Sequence, residues 1–160
     1  DLIYKEFKAE LSDDDIVEKA FYEVKKILDN PDIQFFLTDL NSFREVSVSS
    51  ILSFSRGSKD APKKQIRIRG RIDLLHITES TILLVDFKTS STVPCSVEMV
   101  DPNILNQLEL YSRILHEAYP NHEICSAILW TKAAKLMRIP RMNFNKASRT
   151  FFGNQVLDDV

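Results

Sequence analysis

Two aspartates and one lysine stand at spacings that could build a hydrolytic metal site. Asp73 ends the stretch G-R-I-D, and Asp86 and Lys88 belong to V-D-F-K-T. Residues two apart in a β-strand share a face, so Asp86 and Lys88 would point together while Phe87 enters the opposite layer. If the two stretches pair as a hairpin, Asp73 can approach Asp86 across the ladder. The sequence therefore predicts two carboxylates and an ammonium group converging at the end of a sheet.

The chemistry that such a set supports is metal-assisted hydrolysis. Clustered carboxylates repel one another unless a cation lies between them, and their hard oxygens suit Mg²⁺ or Mn²⁺. A metal with few protein ligands keeps water in its shell, lowers the pKa of that water and neutralises phosphate charge. A nearby lysine can orient a nucleophile or stabilise developing charge. The simpler interpretation makes Asp73 a turn cap and Asp86–Lys88 a solvated ion pair, but the arginine-lined stretch before Asp73 favours a functional site.

Composition indicates one globular domain with a hydrophobic core. The chain has 160 residues, 44% of them hydrophobic and 28% charged. No apolar run approaches the ~20 residues of a membrane helix, no signal peptide is visible, and we expect no membrane contact. Cys95 and Cys125 lack ligand-like spacing, and two cysteines are too few for a disulfide scaffold, so reduced thiols in a cytoplasm are expected. Because the sequence begins at Asp1, we expect it to be part of a longer protein.

Charge is distributed unevenly although the net charge is only −2. Residues 1–32 contain ten acids against five lysines, and residues 130–149 contain six cations and no acid. Residues 56–71 contain one acid and seven cations: Arg56, Lys59, Lys63, Lys64, Arg67, Arg69 and Arg71. This asymmetry is expected of a polyanion-binding face with an acidic far side. For the lysine-rich loop in the middle segment, charge for solubility is an equally good explanation.

Hydrophobic periodicity predicts an N-terminal helix capped by Ser12 and ended by Asn30-Pro31. Its acidic first turn suits the helix dipole. Its apolar stripe is predicted at Ile16, Ala20, Val24, Ile27 and Leu28.

The remaining elements predict an α+β fold. Further helices are expected at 34–40 and 102–119, the second beginning at Asp101-Pro102 and burying Ile104, Leu108, Tyr111, Leu115 and Ala118. Strands are expected at 43–49, 51–56, 66–74, 82–88, 124–131 and 136–139, with polar turns at 57–65 and 78–81. On the third strand, Ile66, Ile68, Ile72 and Leu74 should face one way and Arg67, Arg69, Arg71 and Asp73 the other.

This order predicts a mixed sheet packed against helices, with the strand after the long helix joining parallel through a right-handed crossover. We divide the chain into an N-terminal helical segment (1–42), a core (43–140) and a basic, aromatic tail (141–160).

Three stretches in this order, G-R-I-D, V-D-F-K-T and Q-L-E-L-Y (107–111), resemble the RecB-like branch of the PD-(D/E)XK nuclease superfamily, and within it the AddA-type helicase–nucleases. The likeness covers roughly residues 43–140 and is specific as a set. It implies a restriction-endonuclease-like α/β/α sandwich. It also implies an Mg- or Mn-dependent exonuclease acting on single-stranded DNA ends in double-strand break repair and recombination. The partners implied are the rest of an AddA-like helicase chain and an AddB-like subunit.

The resemblance also assigns roles to site residues. Asp73 and Asp86 would bind the divalent metal together with the backbone carbonyl of Phe87, and Lys88 would be the catalytic lysine. Glu45 is a tentative further metal ligand; the alternative is an exposed strand acid.

DNA contacts are expected from two other groups of residues. Gln107 and Tyr111 match the Q-x-x-x-Y helix that positions DNA beside such sites, although Tyr111 could equally be a core tyrosine with a satisfied hydroxyl. The basic flank would bind phosphates through Lys63, Lys64, Arg67, Arg69 and Arg71.

The sequence departs from the resemblance in one respect. The family carries a histidine metal ligand on an upstream helix, whereas His76, His116 and His122 lie elsewhere. No G-x-x-x-x-G-K-[ST] loop is present, so no ATPase motor is encoded in these residues. We therefore expect the chain by itself to bind metal weakly and to cut slowly or not at all.

Two other functions remain open. One is a stand-alone RecB-like or Cas4-like exonuclease; these often carry an iron–sulfur cluster, which two distant cysteines disfavour. The other is a catalytically silent DNA-binding or partner-docking module of the same fold.

Overall fold

The structure is a computed structural model that describes residues 14–56, 64–140 and 155–157. The helices are α1 (Asp14–Leu28), α2 (Pro31–Thr38) and α3 (Pro102–Ala118). The strands are β1 (Ser42–Arg56), β2 (Lys64–Ile77), β3 (Thr81–Lys88), β4 (Glu123–Trp130), β5 (Lys135–Ile139) and β6 (Gln155–Leu157). Two short 3₁₀ turns lie at Val97–Met99 and Thr131–Ala133.

The described strands form one mixed sheet in the order β5-β4-β3-β2-β1-β6. Among these strands only β3 and β4 pair in parallel, and α3 connects them, as expected for a β-helix-β crossover. The centre of the sheet is β3, whose residues from Ile82 to Val85 are buried. This continuous apolar run suits a strand covered on both faces.

Helices cover both faces of the sheet and make three layers. On one face α3 packs over the strands, and this α3-side cluster includes Ile72, Leu75, Ile82, Leu84, Leu108, Tyr111, Ile114, Leu115, Ile128 and Trp130. On the other face α2 packs through Ile33 and Phe36, and this α2-side cluster also contains Leu74, Leu83, Val85, Ala127 and Leu129. The α+β sandwich expected from the sequence is confirmed.

Short polar side chains set where the helices begin. The Asp101 carboxylate accepts the Asn103 N–H at 2.9 Å, and Pro102 occupies the first turn. Asn30 caps α2 in the same way, its side-chain oxygen accepting the Asp32 N–H at 3.0 Å. The Asn30 amide also donates to the Ala134 carbonyl at 3.0 Å and so ties the α1–α2 turn to the end of the sheet.

Several strand and helix limits differ from expectation: β2 spans 64–77 rather than 66–74, β6 was not expected, and β1 and α2 also differ. β1 is one continuous strand rather than two, because Ser50 stays in the ladder opposite Ile68 and its hydroxyl donates to Glu117 at 3.0 Å. α2 spans 31–38 rather than 34–40, because Asn30-Pro31 begins it directly.

The buried stripes of two helices also differ from expectation. Val17 of α1 is fully buried whereas Ile16 is 54% exposed, and the other predicted stripe residues, Ala20, Val24, Ile27 and Leu28, are half-buried. Ala118 is exposed because α3 ends there, beyond the sheet it covers. Ser12, the loop at 57–63 and most of the tail lie outside the described residues.

No helix within the described ranges is long and apolar enough to cross a bilayer.

Candidate active site

The end of β3 places Asp86 and Lys88 on the face covered by α3. In the parallel ladder Asp86 pairs with Ile128 and Lys88 with Trp130, both of which belong to the α3-side cluster. Phe87 packs against the α2-side cluster instead. The predicted separation of these three side chains is confirmed.

Asp73 reaches this strand end from β2. The antiparallel β2–β3 ladder ends at the pair Leu74–Val85, and Asp73 and Asp86 are the next residues of the two strands. The Phe87 N–H donates a hydrogen bond to Asp73 Oδ2 at 2.7 Å. The structure therefore brings Asp73 to the D-F-K segment, as the sequence predicted.

Lys88 and burial set the electrostatics of Asp86. Lys88 Nζ lies 2.7 Å from Asp86 Oδ2, and the residue Asp86 is only 6% exposed. Burial raises the pKa of Asp86, the Lys88 ammonium opposes that rise, and the Asp73 carboxylate adds to it. A cation bound between the two acids would relieve both unfavourable contributions.

The alternation of β2 changes faces at Asp73, which the sequence did not predict. Ile72 packs in the α3-side cluster, but Leu74 packs with α2 on the opposite side. Across the ladder, Glu45 stands opposite Asp73 between the pairs Arg44–Leu74 and Val46–Ile72, with φ of 55°. The expected common face for Ile72 and Leu74 was wrong because the backbone of the β1–β2 pair is irregular at this position.

Glu45 forms an ion pair with an arginine of β2. Its Oε2 lies 2.8 Å from Arg71 Nε, and both side chains are exposed. The tentative metal ligand is therefore placed next to Asp73 in the ladder but is paired with an arginine.

Helix α3 brings the Q-x-x-x-Y residues onto β2. The Gln107 amide donates to the Tyr111 hydroxyl at 3.4 Å, and Tyr111 is 9% exposed. The Tyr111 ring lies against the backbone of Gly70, where an added Cβ would come within 2.6 Å of Cε1 and 2.8 Å of Cζ. Gly70 thus provides the notch that lets α3 approach the strand three residues before Asp73.

The arginines of β2 form an exposed row that we call the arginine stripe: Arg67, Arg69 and Arg71. Their β1 partners are Ile51, Ser49 and Ser47, which are also exposed. The stripe leads along β2 toward Asp73. Lys64 begins β2, and Lys63 lies outside the described residues.

The donor set fits a hard divalent cation held by few protein ligands. Asp73 and Asp86 supply carboxylate oxygens next to the Phe87 backbone, and such a set leaves positions for water. Within residues 14–56, 64–140 and 155–157, no cluster of three or more His, Cys, Asp or Glu side chains is assembled for a metal. Two of the histidines make other contacts: His76 lies 3.4 Å from Asp39, and the ring of His122 packs against that of Tyr119.

Reasoning from sequence missed two features of the structure. Gly70 belongs to the G-R-I-D stretch, but nothing in the sequence shows that Tyr111 packs on it. Glu109, in the middle of Q-L-E-L-Y, is buried to 6% exposure with its Oε1 3.6 Å from Arg113 Nε, and burial raises its pKa. A single acid on an amphipathic helix carries no signal that would distinguish it from a solvated one.

A mixed sheet between helices, with Asp…Asp-x-Lys at the end of its central strand, defines a nuclease-type α/β/α domain. The profile of the PD-(D/E)XK nuclease superfamily matches residues 7–151. The chain belongs to this superfamily, and it is a nuclease domain.

One curated relative agrees with this assignment. The AddA component of the ATP-dependent helicase/nuclease of Lactobacillus helveticus (strain DPC 4571) is 33% identical over 89 residues, which are 52% of this chain and 7% of that protein. The chain thus spans a small fraction of the length of this relative. The resemblance to the AddA-type branch seen in the sequence is confirmed by this match.

A solved structure is also similar to the chain. The crystal structure of SSO0001 matches 91% of this chain and 62% of its own, with a TM-score of 0.44 and 13% identity.

Proposed function

We propose that this chain is the Mg²⁺- or Mn²⁺-dependent exonuclease domain of a larger helicase–nuclease protein and hydrolyses single-stranded DNA from its ends. One observation carries the proposal. The Phe87 N–H donates a hydrogen bond to Asp73 Oδ2 at 2.7 Å. The two neighbours of Phe87 along β3, Asp86 and Lys88, form an ion pair at 2.7 Å. Membership of the superfamily supports nuclease activity, and similarity to a helicase/nuclease component supports the larger assembly.

Asp73, Asp86 and the Phe87 carbonyl would hold the metal in this proposal. A divalent ion bound there supplies neutralisation of phosphate charge and a water of lowered pKa. Glu45 is a candidate for the same ion only where Arg71 releases it.

Lys88 is placed for a second task. While no metal is bound, its ammonium neutralises Asp86 from 2.7 Å away. With Asp86 engaged by a cation, Lys88 can instead donate to the nucleophile or to a phosphate oxygen. Its side chain is 28% exposed, so a substrate arriving from solvent can reach it.

The surroundings of the site would guide the strand. The arginine stripe would contact phosphates without regard to sequence. Gln107 and Tyr111, on the edge of α3 that touches β2, would position the nucleotide next to Asp73. The proposed setting is cytoplasmic double-strand break repair and recombination, and the proposed partner is an AddB-like protein.

Matched linear and circular single-stranded DNA of the same sequence would test the proposal. With Mg²⁺ or Mn²⁺ the linear form should shorten from its ends while the circle persists, and EDTA should stop the reaction. Degradation of the circle would show an endonuclease instead. A third outcome is that both forms bind but neither is cleaved at any metal concentration. If a chain extended by upstream sequence behaves in the same way, a silent DNA-binding module is favoured.

A further inference from the structure

The backbone at Glu45 is held in a conformation that a side chain disfavours. Its φ is 55°, and in the described ranges the other non-glycine residue with positive φ is Ala134, at the end of a 3₁₀ turn. The left-handed region is unfavourable for residues with a Cβ. From this position the Glu45 carboxylate forms an ion pair with Arg71 at 2.8 Å.

Arg71 is the member of the arginine stripe nearest to Asp73. It lies two residues before Asp73 on β2, and Glu45 stands opposite Asp73 on β1. Arg71 alternates with Ile72, which packs under α3, so the ion pair lies on the face of the sheet opposite α3, at the end of the stripe that is nearest to Asp73 in sequence.

This ion pair is of a kind that a phosphate can replace. The two side chains are 68% and 60% exposed, and an exposed ion pair contributes little free energy. Carboxylate and phosphate oxygens both match the guanidinium group of arginine, so they compete for the same donors.

We propose that Glu45 is an internal competitor of DNA phosphate for Arg71, so that a strand binding along the arginine stripe must displace this carboxylate. This role rests on the proposed function, because it takes the arginine stripe as a contact surface for the DNA. It assigns Glu45 to control of DNA binding rather than to the metal.

Binding of a fluorescein-labelled oligothymidylate in EDTA tests the role without any catalysis. Glu45→Gln should tighten this binding by about two- to fivefold, the range expected when an exposed ion pair no longer competes. It should also steepen the plot of log affinity against log salt by about 0.7, because one more phosphate contact forms on a single strand. Glu45→Gly should do the same, since glycine also accepts the positive φ.

A matched control separates the exchange from a change in net charge. Asp29 pairs with Lys25 at 2.8 Å on α1, with side chains that are 64% and 55% exposed. Asp29→Asn removes the same charge from a pair of the same length and should leave oligonucleotide affinity unchanged.

A double-mutant cycle shows whether Arg71 transmits the effect. Arg71→Ala should weaken binding, and adding Glu45→Gln to it should give no gain. An equal gain in both backgrounds would overturn the proposal, since the effect would then be a general one of charge.

Two further outcomes would also overturn it. If Glu45→Gln binds DNA as the wild type does but loses Mn²⁺ affinity, Glu45 is a metal ligand. If the wild-type chain binds no oligonucleotide with or without Mn²⁺, the proposed function fails as well; if the wild type binds and only the variants show no gain, the function stands and this role for Glu45 falls.

Discussion

Asp86 and Glu109 are two buried carboxylates that are alike in their exposure, in the direction of their pKa change and in having a cation nearby. Each is 6% exposed, burial raises the pKa of each, and each has a cation nearby that opposes the rise. Lys88 lies 2.7 Å from Asp86, and Arg113 lies 3.6 Å from Glu109. Judged by burial and pKa alone, either could be the centre of an active site.

Asp86 and Glu109 differ in the charged groups that surround them. Asp86 lies near the end of β3, and the Asp73 carboxylate adds to the rise in its pKa. Glu109 sits in the middle of α3 beside a cavity of about 190 Å³ that is also lined by Glu123 and Arg138. The charge that acts on the pKa of Glu109 is that of Arg113, which lowers it, whereas Asp86 is acted on by a second carboxylate as well as by a cation. Convergence of charges distinguishes the site, and burial alone does not.

The largest expected effect contrasts the two cations. In a chain extended by upstream sequence, Lys88→Ala should lower Mn²⁺-dependent cleavage of linear single-stranded DNA by about 10²–10⁴-fold, because a positioned acid–base group contributes that much. Arg113→Ala should leave the rate within a small factor of the wild type. Single-turnover assays with protein in excess would measure both, and a Lys88→Ala variant that cuts at the wild-type rate would show that the lysine is structural.

The next effect is on metal affinity. Asp86→Asn should weaken Mn²⁺ binding by more than about 100-fold, since changes even to the partners of metal ligands cost 10- to 100-fold. Glu109→Gln should bind Mn²⁺ as the wild type does. Titration calorimetry on both variants checks this, and undiminished binding by Asp86→Asn would remove the metal-site assignment.

A third variant tests how closely α3 packs on β2. Gly70→Ala should destabilise the fold by about 1–3 kcal/mol, because the new methyl group overlaps the Tyr111 ring and a packed core resists added volume. Combining it with Tyr111→Leu should recover part of that loss. Denaturant unfolding measures both, and a neutral Gly70→Ala would show that α3 does not press on β2 as described.

The smallest effect concerns pH and stability without metal. The pKa of Asp86 is raised above its ordinary value of 3.8, so the stability linked to its protonation is present below that value and is lost as pH rises through the folded-state pKa. Asp86→Asn should therefore gain stability over the wild type as pH increases from acid to neutral.

Glu109→Gln should show the same trend, because the pKa of Glu109 is raised as well. Added Mn²⁺ should narrow the gap at neutral pH for Asp86→Asn only, because the wild type then binds the ion. Thermal unfolding at several pH values, with and without Mn²⁺, would show whether the stability of the two variants responds differently to the ion. The same response from both variants would contradict the comparison.

Much of this molecule follows from local sequence. The run Ile82–Val85 predicts a buried central strand, Asp101-Pro102 predicts a helix start, and the two-residue spacing of Asp86 and Lys88 predicts a shared face. These predictions hold because strand periodicity and helix capping depend on residues close together in the chain. The family resemblance rests on motifs of the same short range.

Only the tertiary structure decided the rest. Two features join residues that are far apart in sequence: the Gly70–Tyr111 notch and the pairing of Glu45 with Arg71. Two others depend on which element packs above the residue: the change of face at Asp73 and the burial of Glu109. Alternation along β2 could not reveal the change of face, because the irregular backbone that causes it lies at Glu45 on the neighbouring strand. Chain-local patterns determine which side chains share a face where a strand stays regular, whereas packing and neighbouring strands determine where it becomes irregular and which side chains meet.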